Sequence, residues 1–471
     1  ADDGTGVGRL QALRKWWDVI RSDGPAFGYF ANPAKTILVV KPEHSRKAEG
    51  IFAGTGVKIL NHADPNSNGT RHLGGALGSE EFVRDYVRAK VAKLSEELAK
   101  LSEIAKYEPQ SAYSVFTHTF LSKWIYLQRV IPGCGQLFKP LEEKIRQNFL
   151  PAVTGKNNCT DLEREIFSLP ARDGGLGIPN PTTTAGTHHD QSKKITAALT
   201  GKILRQDPTL TDSEQAIWQA EKRRVLKEKT EHQERQRKEI EDTIRREAGI
   251  EEEPDRKSCR WKRHKKPPDP PLLKRLEMAQ QKGASNWLTT LPLKEFGFAV
   301  SKQEWLDGMC LRYGWSPPHL PPTCVCGTQS SVQHLLDCPR GGYQICRHNA
   351  LCKSLAGLCQ KAGYKDIKIE PHLAPLPPHM QRKTKEGRVR STDGEEARLD
   401  FCAVGVWGEM QRAFFDVRVT NPLAPSNSQK TLEQHLKNKE ASKKNDYNKR
   451  ILEVERASFT PLVFSVAGGC G

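Results

Sequence analysis

The chain has 471 residues, 37% hydrophobic and 27% charged, with 73 Lys and Arg against 56 Asp and Glu for a net charge of +17. That length accommodates two to four domains, and the cation excess points to a polyanionic partner, usually nucleic acid, whose neutralised phosphates release counterions. The sequence has no run of 18 apolar residues and no signal-peptide pattern, so the expectation is an intracellular chain with no membrane partner.

In chain order, Ala1-Asp2-Asp3 comes first, followed by Gly4-Thr5 and a helical stretch to Trp17. The aspartate pair reads as the second half of a (Tyr/Phe)-Ala-Asp-Asp turn, which at a hairpin tip presents carboxylates to two Mg²⁺ ions. On that reading the chain is a fragment that starts within an active site; a capped helix start is the plainer alternative. Trp16-Trp17-Asp18 is expected to close the helix, Gly28-Tyr29-Phe30 to turn, and Lys35–Val40 to form a buried strand. A second turn-strand unit ends at Arg71–Gly78. From Glu80 to Leu150 the apolar spacing (Phe82, Tyr86, Val91, Leu94, Leu98, Leu101, Phe116, Phe120, Trp124, Leu127) predicts about three packed helices. Leu169–Pro179 is a glycine-rich turn.

Residues 201–285 are dominated by charge. Trp218–Ala248 reads as a solvated helix, and Arg256–Lys266 is a basic run ending in prolines. The run is either linker or, through Arg260, Lys262, Arg263, Lys265 and Lys266, a nucleic-acid contact. A helix is expected over Ser301–Tyr313. Residues 346–471 then read as a compact α/β domain. Its expected parts are a helix (Ala350–Gly363), a strand (Ile367–Ile369), strands around Asp400 and Asp416, a helix (Thr431–Arg456) and a last strand (Pro461–Val466).

Two constellations carry chemistry. Cys324, Cys326, His334 and Cys338 space as C-x-C-x7-H-x3-C, a tetrahedral Zn²⁺ pattern in which His334 and Cys338 would share a helix face. Buried reduced cysteines beside an unrelated histidine are the alternative. Farther on, Asp416 is the polar exception in Phe414-Phe415-Asp416-Val417-Arg418-Val419, and burying a carboxylate costs several kcal/mol unless it is paired or metal-bound. Asp400 and Asp416 with a lysine are what a Mg²⁺- or Mn²⁺-dependent phosphodiesterase needs. Arg418 stands two residues after the second acid, where such enzymes usually carry lysine, so Lys443 or Lys444 of the long helix is the expected partner. Solvated i, i+4 pairs remain the alternative for these lysines. Arg347-His348-Asn349 could contact phosphate or base, or cap the following helix, and Glu370 is a possible further metal ligand.

Together these residues resemble the C-terminal two-thirds of a non-LTR retrotransposon reverse transcriptase with a restriction-like endonuclease. Ala1-Asp2-Asp3 resembles palm motif C, Asn32–Thr36 the lysine motif after it, His72-Leu73-Gly74 the primer grip, and Leu169–Gly177 the thumb signature. The resemblance implies a multidomain α+β fold. Residues 1–82 would be the end of the polymerase palm, 83–200 a helical thumb, 201–285 a charged linker, 286–345 a helix plus zinc knuckle, and 346–471 a PD-(D/E)xK-like endonuclease domain. It also implies that Asp2 and Asp3 hold polymerase metals and that Lys35 lies near the incoming nucleotide. Cys324, Cys326, His334 and Cys338 would hold zinc, and Asp400 and Asp416 the endonuclease metal, with Lys443 or Lys444 beside them. The partners would be target DNA and element RNA, in the nucleus. The other reading is a non-catalytic, zinc-dependent nucleic-acid-binding remnant of a decayed element.

Overall fold

The computed structural model describes residues 4–60, 68–205, 207, 211–250, 270–427 and 430–470. Asp2, Asp3, Arg260 and Arg263, with the rest of the basic run, lie outside the described residues. Helices and small sheets mix throughout. The chain divides into two compact units, Ala1–Cys159 with Pro179–Arg235, and Thr160–Ile178 with Gln236–Gly471.

In the first unit, helix Leu10–Asp23 runs past the expected stop at Trp17. Trp17 is buried with Leu38, Ala48 and Phe52, so the apolar stripe holds the helix together until Gly24-Pro25 starts a new turn. Of the expected strand Lys35–Val40, only Ile37–Leu38 pairs, in parallel with Lys58–Ile59. Strands Gly69–His72 and Gly75–Gly78 form a hairpin around Leu73 (φ 44°) and Gly74 (φ 79°). Two positive φ angles suit the right-handed twist of a two-residue hairpin. The hydroxyl of Tyr86 donates to Gly74 O at 2.7 Å, and that of Tyr126 donates to Leu73 O.

Three helical stretches follow. Glu80–Ala105 is N-capped by Ser79 and has two glutamates in its first turn, both favourable at the positive end of a helix. Its buried face is Val87, Val91, Leu94, Leu98 and Leu101. The second stretch, Pro109–Val130, places Phe116 stacked on Phe149 of the third, Lys139–Thr154, at 4.4 Å and edge-on to Trp124 at 5.6 Å. Helix Pro181–Arg205 packs on the second stretch, where His188 Nδ1 meets Gln128 Oε1 at 2.8 Å.

Helix Asp212–Glu247 carries the i, i+4 ion pairs expected of a solvated face, among them Arg224–Glu228 and Arg237–Glu241. Three of its apolar residues, Val225, Ile240 and Ile244, are nonetheless buried, while Ile217 and Leu226 stay exposed. Part of the expected linker is also core, since helix Pro271–Gln280 buries Leu273, Leu276 and Met278.

The glycine-rich turn lies in the second unit, not with the helices before it. A Cβ on Gly175 would sit 2.0 Å from Leu169 O, so only glycine fits there. The turn carbonyls satisfy a buried cation: Arg312 Nη2 donates to Ala171 O at 2.7 Å and to Gly175 O at 3.1 Å. Pairing of that guanidinium is what groups the turn with helix Lys302–Tyr313.

The C-terminal part of the second unit is a four-stranded sheet of β1 (Lys365–Ile369), β2 (Phe401–Val404), β3 (Arg412–Thr420) and β4 (Ser458–Ser465), in that order. The first two pairings are antiparallel and β3–β4 is parallel. Parallel neighbours need a crossover, supplied here by α2 (Leu432–Glu453), while α1 (Tyr343–Lys361) precedes the sheet. Alternate residues of β3 point to opposite faces. Ala413, Phe415 and Val417 pack with Cys352 and Ala356 of α1, whereas Phe414 packs with Ile451 and Tyr447 of α2.

Candidate active site and metal centre

The knuckle is built by a tight loop and a short helix. Cys324 N donates to Thr328 O at 2.9 Å, and Gly327, at φ 85°, donates to Cys324 O at 2.8 Å. Helix Val332–Asp337 is capped by Ser331, whose hydroxyl accepts from His334 N, so His334 sits in the first turn. Cys338 is the extended residue after the helix and does not share its face, as the i, i+4 spacing had suggested. All four ligand atoms still lie within 4.8 Å of one another. The Cys324 and Cys338 sulfurs are 3.6 Å apart, and Cys326 Sγ is 3.1 Å from His334 Nε2. Tetrahedral Zn²⁺ with Zn–S bonds of about 2.3 Å separates its sulfurs by roughly 3.7 Å. Hydrogen bonds from the Thr328 side chain and amide pull the Cys326 thiol down to about 6, toward the ligating thiolate. Three thiols and an imidazole thus form a cluster that could hold a metal ion such as zinc.

A second cluster lies where β2, β3, α1 and α2 meet. Asp416 follows the alternation of β3 onto the α2 side, where it is buried at 5% exposure. Lys443, halfway along α2, places its Nζ 2.7 Å from Asp416 Oδ2. That contact pairs the buried carboxylate with a cation from α2. Burial raises the Asp416 carboxyl above its ordinary value, with Lys443 opposing and Asp400 adding to the rise.

Asp400 immediately precedes β2, and its Oδ2 accepts from the amide of Val417, the residue after Asp416. The same oxygen is 3.3 Å from His348 Nε2, which is also 3.1 Å from Val417 O. Contact with Asp400 lifts the His348 imidazole to about 9, keeping it cationic against burial. Cys352, one turn along α1, sits 3.7 Å from that ring, and burial pushes its thiol up to about 12.

Of the lysines anticipated at the acids, the structure brings Lys443 to Asp416 and leaves Lys444 exposed. Their one-residue offset on a helix turns them about 100° apart. Arg347 is half-buried and its Nη2 reaches Leu336 O at 3.5 Å. His348 points at Asp400. Glu370, at φ 50°, pairs with Arg398 at 3.3 Å. Lys35 is exposed at the end of a one-turn helix, Pro33–Lys35, capped by Asn32. Sequence reasoning passed over Cys352, though His348 and Cys352 stand i, i+4 on one helix, a spacing that brings side chains together. No protein-family model matches this chain, and no curated protein matches it.

Proposed function

We propose that the chain is part of a non-LTR retrotransposon reverse transcriptase whose Asp400, Asp416 and Lys443 form a restriction-like endonuclease site nicking target DNA. The observation that carries this reading is the 2.7 Å approach of Lys443 to the buried Asp416, with Asp400 tied to the amide of the next residue. Asp400 raises the Asp416 carboxyl, and two acids that repel in this way are costly to bury unless a cation offsets them. Their oxygens suit Mg²⁺ or Mn²⁺, hard ions that take carboxylates. Such an ion supplies a water of lowered pKa and neutralises phosphate charge.

Around it, the chain's own groups orient and compensate. The Val417 amide and His348 fix the Asp400 carboxylate, and Lys443 offsets charge growing on the phosphate. A guanidinium can neutralise charge but cannot shuttle a proton, which limits Arg418 to the first role. Water adds hydroxyl to phosphorus and a proton to the departing O3′, which leaves a 5′-phosphate and the 3′-hydroxyl that primes reverse transcription of element RNA. The knuckle, with zinc bound, would help seat the DNA.

The test incubates the zinc-loaded full chain with supercoiled plasmid and Mg²⁺, beside Asp400→Ala and Asp416→Ala. Open circles from the unsubstituted chain, lost in both variants, are expected. Nicking that survives Asp416→Ala rejects the site. DNA binding without nicking favours the non-catalytic remnant, a reading that Arg418 in the usual lysine position keeps in play.

A further inference from the structure

Between β1 and β2 the chain makes a long excursion whose base is clamped to α2. Arg450, 3% exposed, donates to Thr392 O and Ala374 O, both at 2.7 Å, from opposite ends of the excursion. Arg382 forms a bidentate pair with Asp393 (Nε–Oδ2 2.8 Å, Nη2–Oδ1 2.7 Å), and Asp393 is 1% exposed. The remaining guanidinium donors reach Asn445 O at 2.8 Å and Asp446 O at 2.6 Å. Those carbonyls lie two and three residues past Lys443, so the excursion is held to the helix segment that carries the lysine.

Beyond the clamp projects a small β-ribbon. Lys383 bridges Val389, Thr384 N donates to Arg388 O at 2.7 Å, and Gly387 closes the turn at φ 79°. Lys383, Lys385, Arg388 and Arg390 are all exposed, with Glu386 the one acid among residues 383–390. None of the four cations forms an ion pair among the described residues. By contrast, Arg398 and Arg412 in the same domain each pair with an acid. Like charges gathered without counterions on a held frame repel one another, and a polyanion relieves that repulsion while releasing its own condensed ions.

We propose that this ribbon binds the phosphate backbone of duplex DNA beside the bond cut at Asp400 and Asp416. The position of that bond rests on the endonuclease reading above. The pair of half-exposed Arg382 with buried Asp393 acts as the positioning element, fixing the ribbon in register with Lys443.

The experiment measures affinity of the full chain, in an Asp416→Ala background that leaves DNA uncut, for a short labelled duplex over a series of salt concentrations. Four ribbon contacts contribute about 0.9 each to the slope of log affinity against log salt. Replacing Lys383, Lys385, Arg388 and Arg390 together with Gln should therefore reduce that slope by about 3.6 and weaken binding at least about tenfold at low salt. The pair Lys385→Gln with Arg388→Gln should give about half the slope change, and it serves if the fourfold variant fails to fold. Replacing Lys294, Lys302, Lys353 and Lys361, equally exposed but elsewhere in the unit, should shift the slope by less than about 1. An unchanged slope, an equal loss in the control set, or a loss confined to single-stranded RNA overturns the proposal. Ribbon-dependent DNA binding with no nicking by the unsubstituted chain overturns the endonuclease reading instead and leaves the contact standing.

Discussion

In the first unit, the buried polar side chains among the described residues are neutral apart from Lys202, which sits 2.5 Å from both Asp207 and Glu214. The second unit buries the ionisable side chains of Arg164, Arg312, Asp393, Asp416 and Arg450. Both have apolar cores, so the contrast does not come from a shortage of hydrophobic material. Arg312 donates to carbonyls of the glycine-rich turn and Arg450 to carbonyls of the excursion between β1 and β2, which lets irregular chain be fixed in place. Buried charge adds little stability over a well-packed apolar substitute. A unit that keeps so much of it is holding particular groups at particular positions, whereas the helical unit is held by packing.

The sharpest way to break this comparison is at Asp416. Asp416→Ala should lower plasmid nicking about 10³-fold or more, yet leave the melting temperature level or raised, because it removes an acid raised by burial and leaves a lysine that is 20% exposed and can reach water. Lys443→Ala should also abolish most nicking but lower stability, since it strands the carboxylate; equal thermal effects from the two would sink the distinction. In the first unit, Phe116→Ala should cost about 3–5 kcal/mol through the lost stack on Phe149, read as a shifted denaturation midpoint. Nicking by that variant, assayed below its transition, should be unchanged. Zinc analysis should find the metal bound by the unsubstituted chain and lost from Cys338→Ser, with a lower melting temperature; retention of the full zinc content would remove Cys338 from the ligand set.

A smaller effect concerns acid. His435 accepts or shares a hydrogen bond with Thr420 at 2.7 Å, and burial with nearby Lys439, Lys430, Arg418 and Lys274 depresses it to about 4. The unfolded imidazole takes its proton near 6.5, so between that value and about 4 the unfolded state binds more protons. Its contribution is therefore full above pH 6.5 and falls as pH drops toward 4, by no more than about 3 kcal/mol. His188 in the first unit, depressed to about 4 mainly by burial, acts in the same direction. Replacing His435 with Asn should flatten the acid limb of the second unit alone, followed by hydrogen exchange between pH 7 and 4. Smallest of all, Lys444→Ala should change nicking less than about twofold, as expected for a solvated lysine.

What was legible in the sequence follows the strength of the local signal. Periodicity marked the helices after Glu80, and the run Phe414–Val419 marked β3, because apolar spacing records which face is buried. The knuckle ligands could be read from spacing, but the helix ending before Cys338 could not, since its limit depends on where the chain must turn back to reach the other sulfurs. Helix Leu10–Asp23 was cut short on paper because two tryptophans looked like an end; Trp17 is instead an anchor for residues some 20 to 35 places later. Lys443 was singled out but not separated from Lys444, a choice made only by the rotation of α2 over β3. The role of the glycine-rich turn as acceptor for Arg312, 137 residues away from Gly175, is tertiary and leaves no mark on the local sequence.

The crossover connection has one more consequence. Asp400 and Asp416 stand at two strands joined antiparallel, while the lysine arrives on α2, a separate element whose buried anchors lie near its ends at Leu432, Leu436, Arg450 and Ile451. Local opening of that helix would withdraw the ammonium while both acids stayed in the sheet. In a denaturant series, the chemistry should then fail before the β2–β3 amides lose their protection, so that activity reports the fraying of one helix and not the melting of the domain.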